Sequence, residues 1–225
     1  MKSGVSVEDL PSVIYLFPLE QLLLLPKTSL GFEVTGRWFC DLLDAAEGAG
    51  GFVGVVQSRE TERDSARSGS PLFYQVGCLG RLRIAERDEG HRIHLTGLIR
   101  FRIVEERLGA SDQPFPLAEV DYGEFHADLE DREEQVEGLD LAGFKNGLLQ
   151  AIAQFDPHLD IRGVQAMTGH EVLRSLIQVV RLTAAEKQTI LEAKGLKEMA
   201  GAFFLLLAMN FLTSTQDPSA PGRVH

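Results

Sequence analysis

The sequence has few cysteines and no long apolar run, and each shortage excludes a class of protein. Cys40 and Cys78 are too few and too far apart for a disulfide framework or a zinc knuckle. The longest apolar run, at residues 202–209, is far shorter than the roughly 20 residues that cross a bilayer. Glu8 and Asp9 stand where a signal peptide needs apolar residues. These features predict a cytoplasmic protein with no membrane partner and no metal site.

Basic residues are also scarce. The chain has 22 Lys and Arg against 33 Asp and Glu, which gives a net charge of −11. That excess of negative charge repels phosphate backbones, so we expect no nucleic-acid partner. The 44% hydrophobic and 24% charged residues are ordinary for a globular protein. A length of 225 residues allows one large domain or two small ones.

Motifs that carry chemistry are missing as well. The sequence contains neither the phosphate-binding loop G-x-x-x-x-G-K-[ST] nor the nucleophile elbow G-x-S-x-G. The glycines at residues 48–51 precede a predicted strand, whereas a dinucleotide loop needs a helix there. His91 and His94 are three apart in a predicted strand and would point to opposite faces. The sequence therefore predicts no catalytic residue and no cofactor.

What is present changes character midway along the chain. The first half has short apolar runs typical of strands, with one helical pattern at residues 37–47. A turn at Asp88-Glu89-Gly90 predicts a hairpin, and Gly97 predicts a bulge or bend in its second strand. The predicted strands cover 13–17, 52–56, 73–85, 93–103 and 117–122.

The second half reads as helices. Apolar residues from Leu141 to Phe155 fall on one helical face, and a last helix is expected at about 196–212. Two capping boxes, Thr168-x-x-Glu171 and Thr183-x-x-Glu186, each mark a helix start. Strands followed by helices predict an α+β fold. We expect subdomains at 1–126 and 127–212 and a flexible tail at 213–225.

Eight short runs stand in a fixed order along the chain. The first are Y-L-F-P-L, then L-L-L-P, F-E and R-W, which begin at residues 15, 23, 32 and 37. The others are F-V-G-V-V, V-G-C-L, G-L-I-R-F-R-I and E-K-Q-T-I-L-E, which begin at residues 52, 76, 97 and 186. Together these runs resemble the N-terminal substrate-binding domain of Lon proteases over about residues 13–205. The resemblance marks Pro18, Leu19, Glu33, Gly77, Gly97 and Arg100 as structural motif residues.

The resemblance implies a fold and a function. The fold would be a PUA-like β pseudobarrel followed by a C-terminal helical bundle. The function would be a non-enzymatic module that binds unfolded or partly folded polypeptide, because the sequence shows neither the ATPase module nor the serine–lysine peptidase of Lon. A separate protease or ATPase, and a second copy of the chain, are possible partners. One alternative is a structural or oligomerisation scaffold with no client. The other is a protein that would be called an ATP-dependent peptidase only because of its family name.

For a polypeptide-binding site the sequence suggests Phe32, Arg37 and Trp38, where the barrel meets its inserted helix. Arginine and tryptophan are enriched among binding hot spots. The polar loop at residues 59–70 could move over them. Trp38 has two interpretations at this stage: an exposed contact residue, or a side chain buried as a plug of the barrel. Arg100 is expected to make an ion pair or carbonyl contact within the fold.

Overall fold

The structure is a computed structural model that describes residues 6–19, 22–59, 73–87, 90–107, 115–130, 138–155 and 160–216. Within these ranges, the six strands and one helix come first along the chain, and the other helices follow. The strands are β1 Val13–Pro18, β2 Ser29–Val34, β3 Phe52–Val56, β4 Val76–Arg87, β5 His91–Arg107 and β6 Leu117–Asp121. The helices are α1 Arg37–Gly48, α2 Leu141–Phe155, α3 Arg162–Ala166, α4 Gly169–Val179, α5 Ala184–Leu191 and α6 Leu196–Gln216. Short 3₁₀ segments lie at Val7–Asp9 and Gly123–Leu129.

Five of the strands close into a barrel. Neighbouring strands pair in the order β5, β4, β3, β1, β6, and β6 pairs again with β5. The β1–β3 pair is parallel, and the other pairs are antiparallel. The sixth strand, β2, adds to the N-terminal half of β5. Closure leaves few free strand edges on the barrel that could pair with another chain.

The length of β5 lets it pair with three strands. Its N-terminal half pairs with β2 and its C-terminal half with β6, while β4 runs along both. The register shifts where Gly80 faces Gly97 and Leu79 faces Ile99. A Cβ on Gly97 would lie 2.1 Å from the carbonyl oxygen of Leu25, so only glycine lets the segment before β2 cross here.

Phe101 fills the centre of the barrel and is fully buried. Its ring occupies space that two glycines leave free. A Cβ on Gly77 would lie 2.4 Å from the ring, and one on Gly54 would lie 2.9 Å from it. Side chains at these positions would displace the ring, so we infer that the two glycines are required by packing.

The helical half is fixed by its caps and by apolar faces. Thr168 and Thr183 accept hydrogen bonds from the backbone of Glu171 and Glu186, whose carboxylates bond back to the threonine amides. Buried residues of α4, α5 and α6 join the same apolar core as the barrel, among them Leu173, Ile190 and Phe203.

The predicted fold class is confirmed, with corrections at the element level. The alternating strand β2 went unrecognised, as did the 3₁₀ segment Gly123–Leu129 and the short helix α3. The last helix, expected to end at about residue 212, continues to Gln216. Residues 213–217 contain neither glycine nor proline, and the next helix-breaking residue is Pro218. The boundary at residue 126 stays a prediction, and residues 217–225 lie outside the described ranges.

Candidate functional site

Trp38 lies in the first turn of α1, outside the face that this helix buries. The helix starts after Gly36, whose φ of 95° makes a sharp entry that glycine adopts readily. Its buried face is formed by Leu42, Leu43 and Ala46. Trp38 is left 42% exposed. The interpretation of Trp38 as a buried plug is therefore wrong: the apolar face of α1 turns other residues inward.

Trp38 belongs to a group of touching aromatic rings. Its ring centroid lies 4.9 Å from that of Phe39 and 5.6 Å from that of Phe115, with both pairs edge to face. Phe39 also meets Phe17 at 5.9 Å, and Phe115 meets Tyr15 at 6.3 Å. We call Tyr15, Phe17, Trp38, Phe39 and Phe115 the aromatic cluster. Its edge-to-face geometry is the favoured one for aromatic pairs and holds the indole in place.

Ionic contacts fix α1 against the barrel. Arg87 contacts Asp44 at 3.2 Å and also pairs with Glu47. His91 Nε2 lies 3.1 Å from the Asp44 carboxylate. Burial opposes ionisation of Asp44, but the hydrogen bonds with His91 and Arg87 outweigh it and keep the Asp44 pKa below its ordinary value. The helix that carries Trp38 is thus tied to the β4–β5 hairpin at several points.

The other two predicted binding residues lie differently. The Arg37 side chain is 94% exposed and contacts Asp41 at 3.7 Å. Phe32 is half-buried on β2 opposite Ile93 and packs against the core. Among the described residues, no ring contact joins Phe32 to Trp38, whereas Arg37 is the neighbour of Trp38 in the chain. Of the proposed covering loop, residues 60–70 lie outside the described ranges.

Arg100 joins the barrel to the helical half. Its guanidinium forms two 2.8 Å bonds to the Asp128 carboxylate and donates to the carbonyl oxygens of Leu191, at 3.1 Å, and Ala193. It also lies 4.7 Å from the centroid of Phe125. The Arg100 side chain is only 5% exposed. These contacts support the structural role predicted for Arg100, and that role stays a prediction.

Two glutamines also connect the barrel to the helical half. The Gln178 side chain donates to the Thr28 hydroxyl at 2.7 Å, and that of Gln188 donates to the Val76 carbonyl at 3.2 Å. Both glutamines are buried. The interface between the barrel and the helices thus contains specific hydrogen bonds as well as apolar contacts. These hydrogen bonds fix the orientation of the two halves.

The remaining motif residues support the barrel. Pro18 ends β1 and Leu19 donates its amide to the Val56 carbonyl at 3.0 Å. Gly77 and Gly97 occupy the close approaches described above. Glu33 is exposed on β2, opposite Arg92. None of these residues lies in the aromatic cluster.

A cleft of about 630 Å³ opens between the barrel and the helices. Its walls include the apolar residues Leu25, Phe125 and Met199, while Lys27 and Lys194 stand among its charged residues. The cleft and the aromatic cluster share no residue. Sequence reasoning found neither the cleft nor Phe115, and it did not identify Asp128 as the partner of Arg100. Nothing local marks these residues, because their neighbours come from distant parts of the chain.

In the part of the chain that the structure describes, no group of three or more His, Cys, Asp or Glu side chains is placed to hold a metal ion. No helix within the same ranges has the length and apolar character needed to span a bilayer.

Comparisons with known proteins agree with the fold. The family model described as the ATP-dependent protease La (LON) substrate-binding domain matches residues 13–208. A Lon N-terminal domain protein from Xanthomonas campestris is similar in structure, with a TM-score of 0.54 and 19% identity. The N-terminal domain of a Mycobacterium avium complex Lon protease has a TM-score of 0.56 and 15% identity. Each alignment covers 88% of this chain and 98% of the other. No curated protein matches the sequence.

Proposed function

Because the chain belongs to the family of the Lon substrate-binding domain, we propose that it binds unfolded or partly folded polypeptide through the aromatic cluster. Family membership supports a substrate-binding module and names no client. The cluster is our assignment of where an apolar segment of the client binds.

The observation that carries this proposal is the exposure of Trp38 on a rigid support. The indole is 42% exposed yet packs against Phe39 and Phe115. A tryptophan that is already ordered loses little conformational entropy when a ligand covers it, and such residues dominate binding energies. Arg37 next to it offers an exposed guanidinium for the carbonyl groups of an extended chain.

We propose further that the chain acts without catalysis of its own, and that any proteolysis of its clients needs a separate ATPase or protease. The match to a substrate-binding domain supports this proposal. The scaffold alternative keeps one observation in its favour: Leu205 and Met209 on α6 are 62% and 54% exposed. A cytoplasmic location and the lack of nucleic-acid binding stay predictions.

The first prediction uses Trp38 as its own reporter, since it is the single tryptophan of the chain. Adding tryptophan-free apolar peptides from a library should shift its fluorescence to shorter wavelength as water leaves the indole. Trp38→Ala should weaken peptide binding, measured by anisotropy of labelled peptides, by roughly tenfold. It should lower the free energy of unfolding by only about 1–2 kcal/mol, less than the ~3–5 for a fully buried aromatic residue.

Val179→Ala is the matched control, because Val179 is 69% exposed on α4 and is not part of the aromatic cluster. This variant should bind peptides as the wild type does. Peptide binding that survives Trp38→Ala unchanged would show that the cluster is not the site. If no peptide binds while the mass in solution shows stable oligomers, the scaffold alternative is correct.

A further inference from the structure

The cleft between barrel and helices combines apolar walls with cations. Leu25 comes from the segment before β2, Phe125 from the 3₁₀ segment after β6, and Leu196 and Met199 from the start of α6. Its volume of about 630 Å³ lies within the ordinary range for sites that hold small ligands. Such sites occur often where two halves of a protein meet.

The charges that line the cleft are unequal once the ion pairs are assigned. Asp128 is paired with Arg100 at 2.8 Å, and Glu124 with Arg102 at 2.7 Å. Lys27 and Lys194 have no carboxylate within ion-pair distance among the residues described. Glu130 is an acid on the same wall. Among the described residues that line the cleft, Lys27 and Lys194 thus outnumber this remaining acid, in a protein whose net charge is −11.

The backbone conformation of Lys27 also bears on the role of this side chain in the cleft. Pro26 and Lys27 occupy the centre of a turn in which the Thr28 amide donates to the Leu25 carbonyl at 3.3 Å. Lys27 has a φ of 62°, and it is the single residue other than glycine with positive φ in the described ranges. Glycine or asparagine normally fills this position of a turn. The turn does not need a lysine, whereas the cleft gains an ammonium from it.

The ammonium of Lys27 retains binding capacity. It donates to the main-chain carbonyl of Glu130. An ammonium has three donors, so others are available to an incoming acceptor. An apolar side chain between Phe125 and Met199 would place a carboxylate of the same ligand near Lys27 and Lys194. Charge-assisted hydrogen bonds of this kind are stronger than neutral ones.

We propose that this cleft is a second binding site, distinct from the aromatic cluster, and that it takes a polypeptide residue with an apolar side chain and a nearby carboxylate. The carboxylate can be the free C-terminus of a peptide or an acidic side chain next to the apolar residue. Both present the same anion to the two lysines.

The test compares three peptides by isothermal titration calorimetry with the full chain. The first is an N-acetylated tripeptide, alanyl-alanyl-leucine, with a free C-terminus. The second is its C-terminal amide. The third is an amide in which glutamate replaces the middle alanine, which restores a carboxylate on a side chain. The free acid, the glutamate peptide, or both should bind at least about tenfold more tightly than the plain amide. Which of the two binds identifies the source of the carboxylate.

Variants locate the binding. Lys27→Gly removes the ammonium and relieves the left-handed strain, so the urea midpoint should stay the same or rise while acid binding weakens by about tenfold. Lys194→Gln should also weaken it, and Glu130→Gln should strengthen it by removing repulsion. Lys197→Gln is the control, since Lys197 is exposed on α6 and does not line the cleft. Trp38→Ala should leave tripeptide binding intact, which separates this site from the proposed client surface.

Several results would overturn the proposal. Equal affinity of the plain amide and both carboxylate peptides would remove the role of the anion. No binding of any tripeptide at about 10 mM would show that the cleft takes no such ligand. If neither lysine variant weakens the binding, or if Trp38→Ala abolishes it, the ligand binds elsewhere.

Discussion

Arg100 and Arg102 lie two residues apart on β5, and both pair with a carboxylate in a two-point contact. Their surroundings differ. The Arg100 side chain is 5% exposed and its partner Asp128 is 12% exposed, while Arg102 and Glu124 are 46% and 44% exposed. Removing one member of a buried pair leaves the other charge without compensation in a medium that solvates it poorly. Exposed pairs lose little, because water replaces the missing group.

Arg100→Ala should therefore lower the free energy of unfolding by about 3–5 kcal/mol, and Arg102→Ala by less than about 1 kcal/mol. Urea denaturation of both variants against the wild type measures the two values. Arg102 serves as the matched control, since it differs in burial and has the same chemistry. If Arg100→Ala keeps full stability and abolishes peptide binding, then Arg100 is a ligand contact, and its assignment as a structural residue is wrong.

At the scale of the element, the caps of α4 and α5 show how local sequence fixes a helix start. The Glu186 carboxylate bonds to the Thr183 amide at 2.8 Å, and the Glu186 amide donates to the Thr183 hydroxyl at 3.3 Å. The bond from the Thr183 backbone, which outweighs the opposing effect of burial, keeps the Glu186 pKa below its ordinary value. α5 has only eight residues, so its ends form a large part of it.

Thr183→Ala should lower the free energy of unfolding by about 1 kcal/mol, because the helix loses a side-chain acceptor for its first amides. Thr189→Ala is the control in the same helix. Its hydroxyl donates to the Ala185 carbonyl at 3.0 Å, a contact that does not stabilise helices, and alanine is the better helix former. Thermal unfolding followed by circular dichroism compares the two, and equal losses would contradict the capping assignment.

Elements with strong local signals could be predicted from the sequence, and those that depend on distant pairing could not. The capping threonines, the run Phe52–Val56 and the bulge at Gly97 are all local, and the structure has them where expected. Strand β2 has Gly31 at its centre, which weakens the strand signal, and its support comes from pairing with β5. The 3₁₀ segment likewise makes a contact with a distant part of the chain, from Asp128 to Arg100, which no local pattern indicates.

At the scale of the whole molecule, the sites are assembled from distant segments. The aromatic cluster takes Tyr15 from β1, Trp38 from α1 and Phe115 from the segment before β6. The sequence could point to Trp38 by residue type, but it could not supply the rings around it. The sequence also suggested Phe32, as a residue where the barrel meets its inserted helix, whereas β2 places that ring against the core.

The stability of the whole fold should fall at alkaline pH, because Cys78 and Tyr122 are buried as neutral groups. Burial, with the nearby charge of Asp128, raises the pKa of the Cys78 thiol well above its ordinary 9.0. Burial likewise raises the pKa of Tyr122 above 10.0. In each case the folded state keeps a proton that the unfolded chain releases. The stabilisation is full below the unfolded pKa and is lost as pH rises above it.

The free energy of unfolding, from urea titrations in reducing buffer, should therefore show no loss from these groups between about pH 7 and 8. Above pH 9 it should fall by about 1.4 kcal/mol per pH unit for the thiol, and more steeply above pH 10 as Tyr122 contributes. Cys78→Ala is the control: it lowers stability at every pH through the lost side chain, but it should reduce the slope between about pH 9 and 10. Cys40 is present in both proteins, so its contribution cancels. Identical slopes in the two proteins would show that the thiol ionises equally in the folded and unfolded states. The structure argues against that outcome, because the Cys78 side chain is fully buried in the barrel wall opposite Arg100.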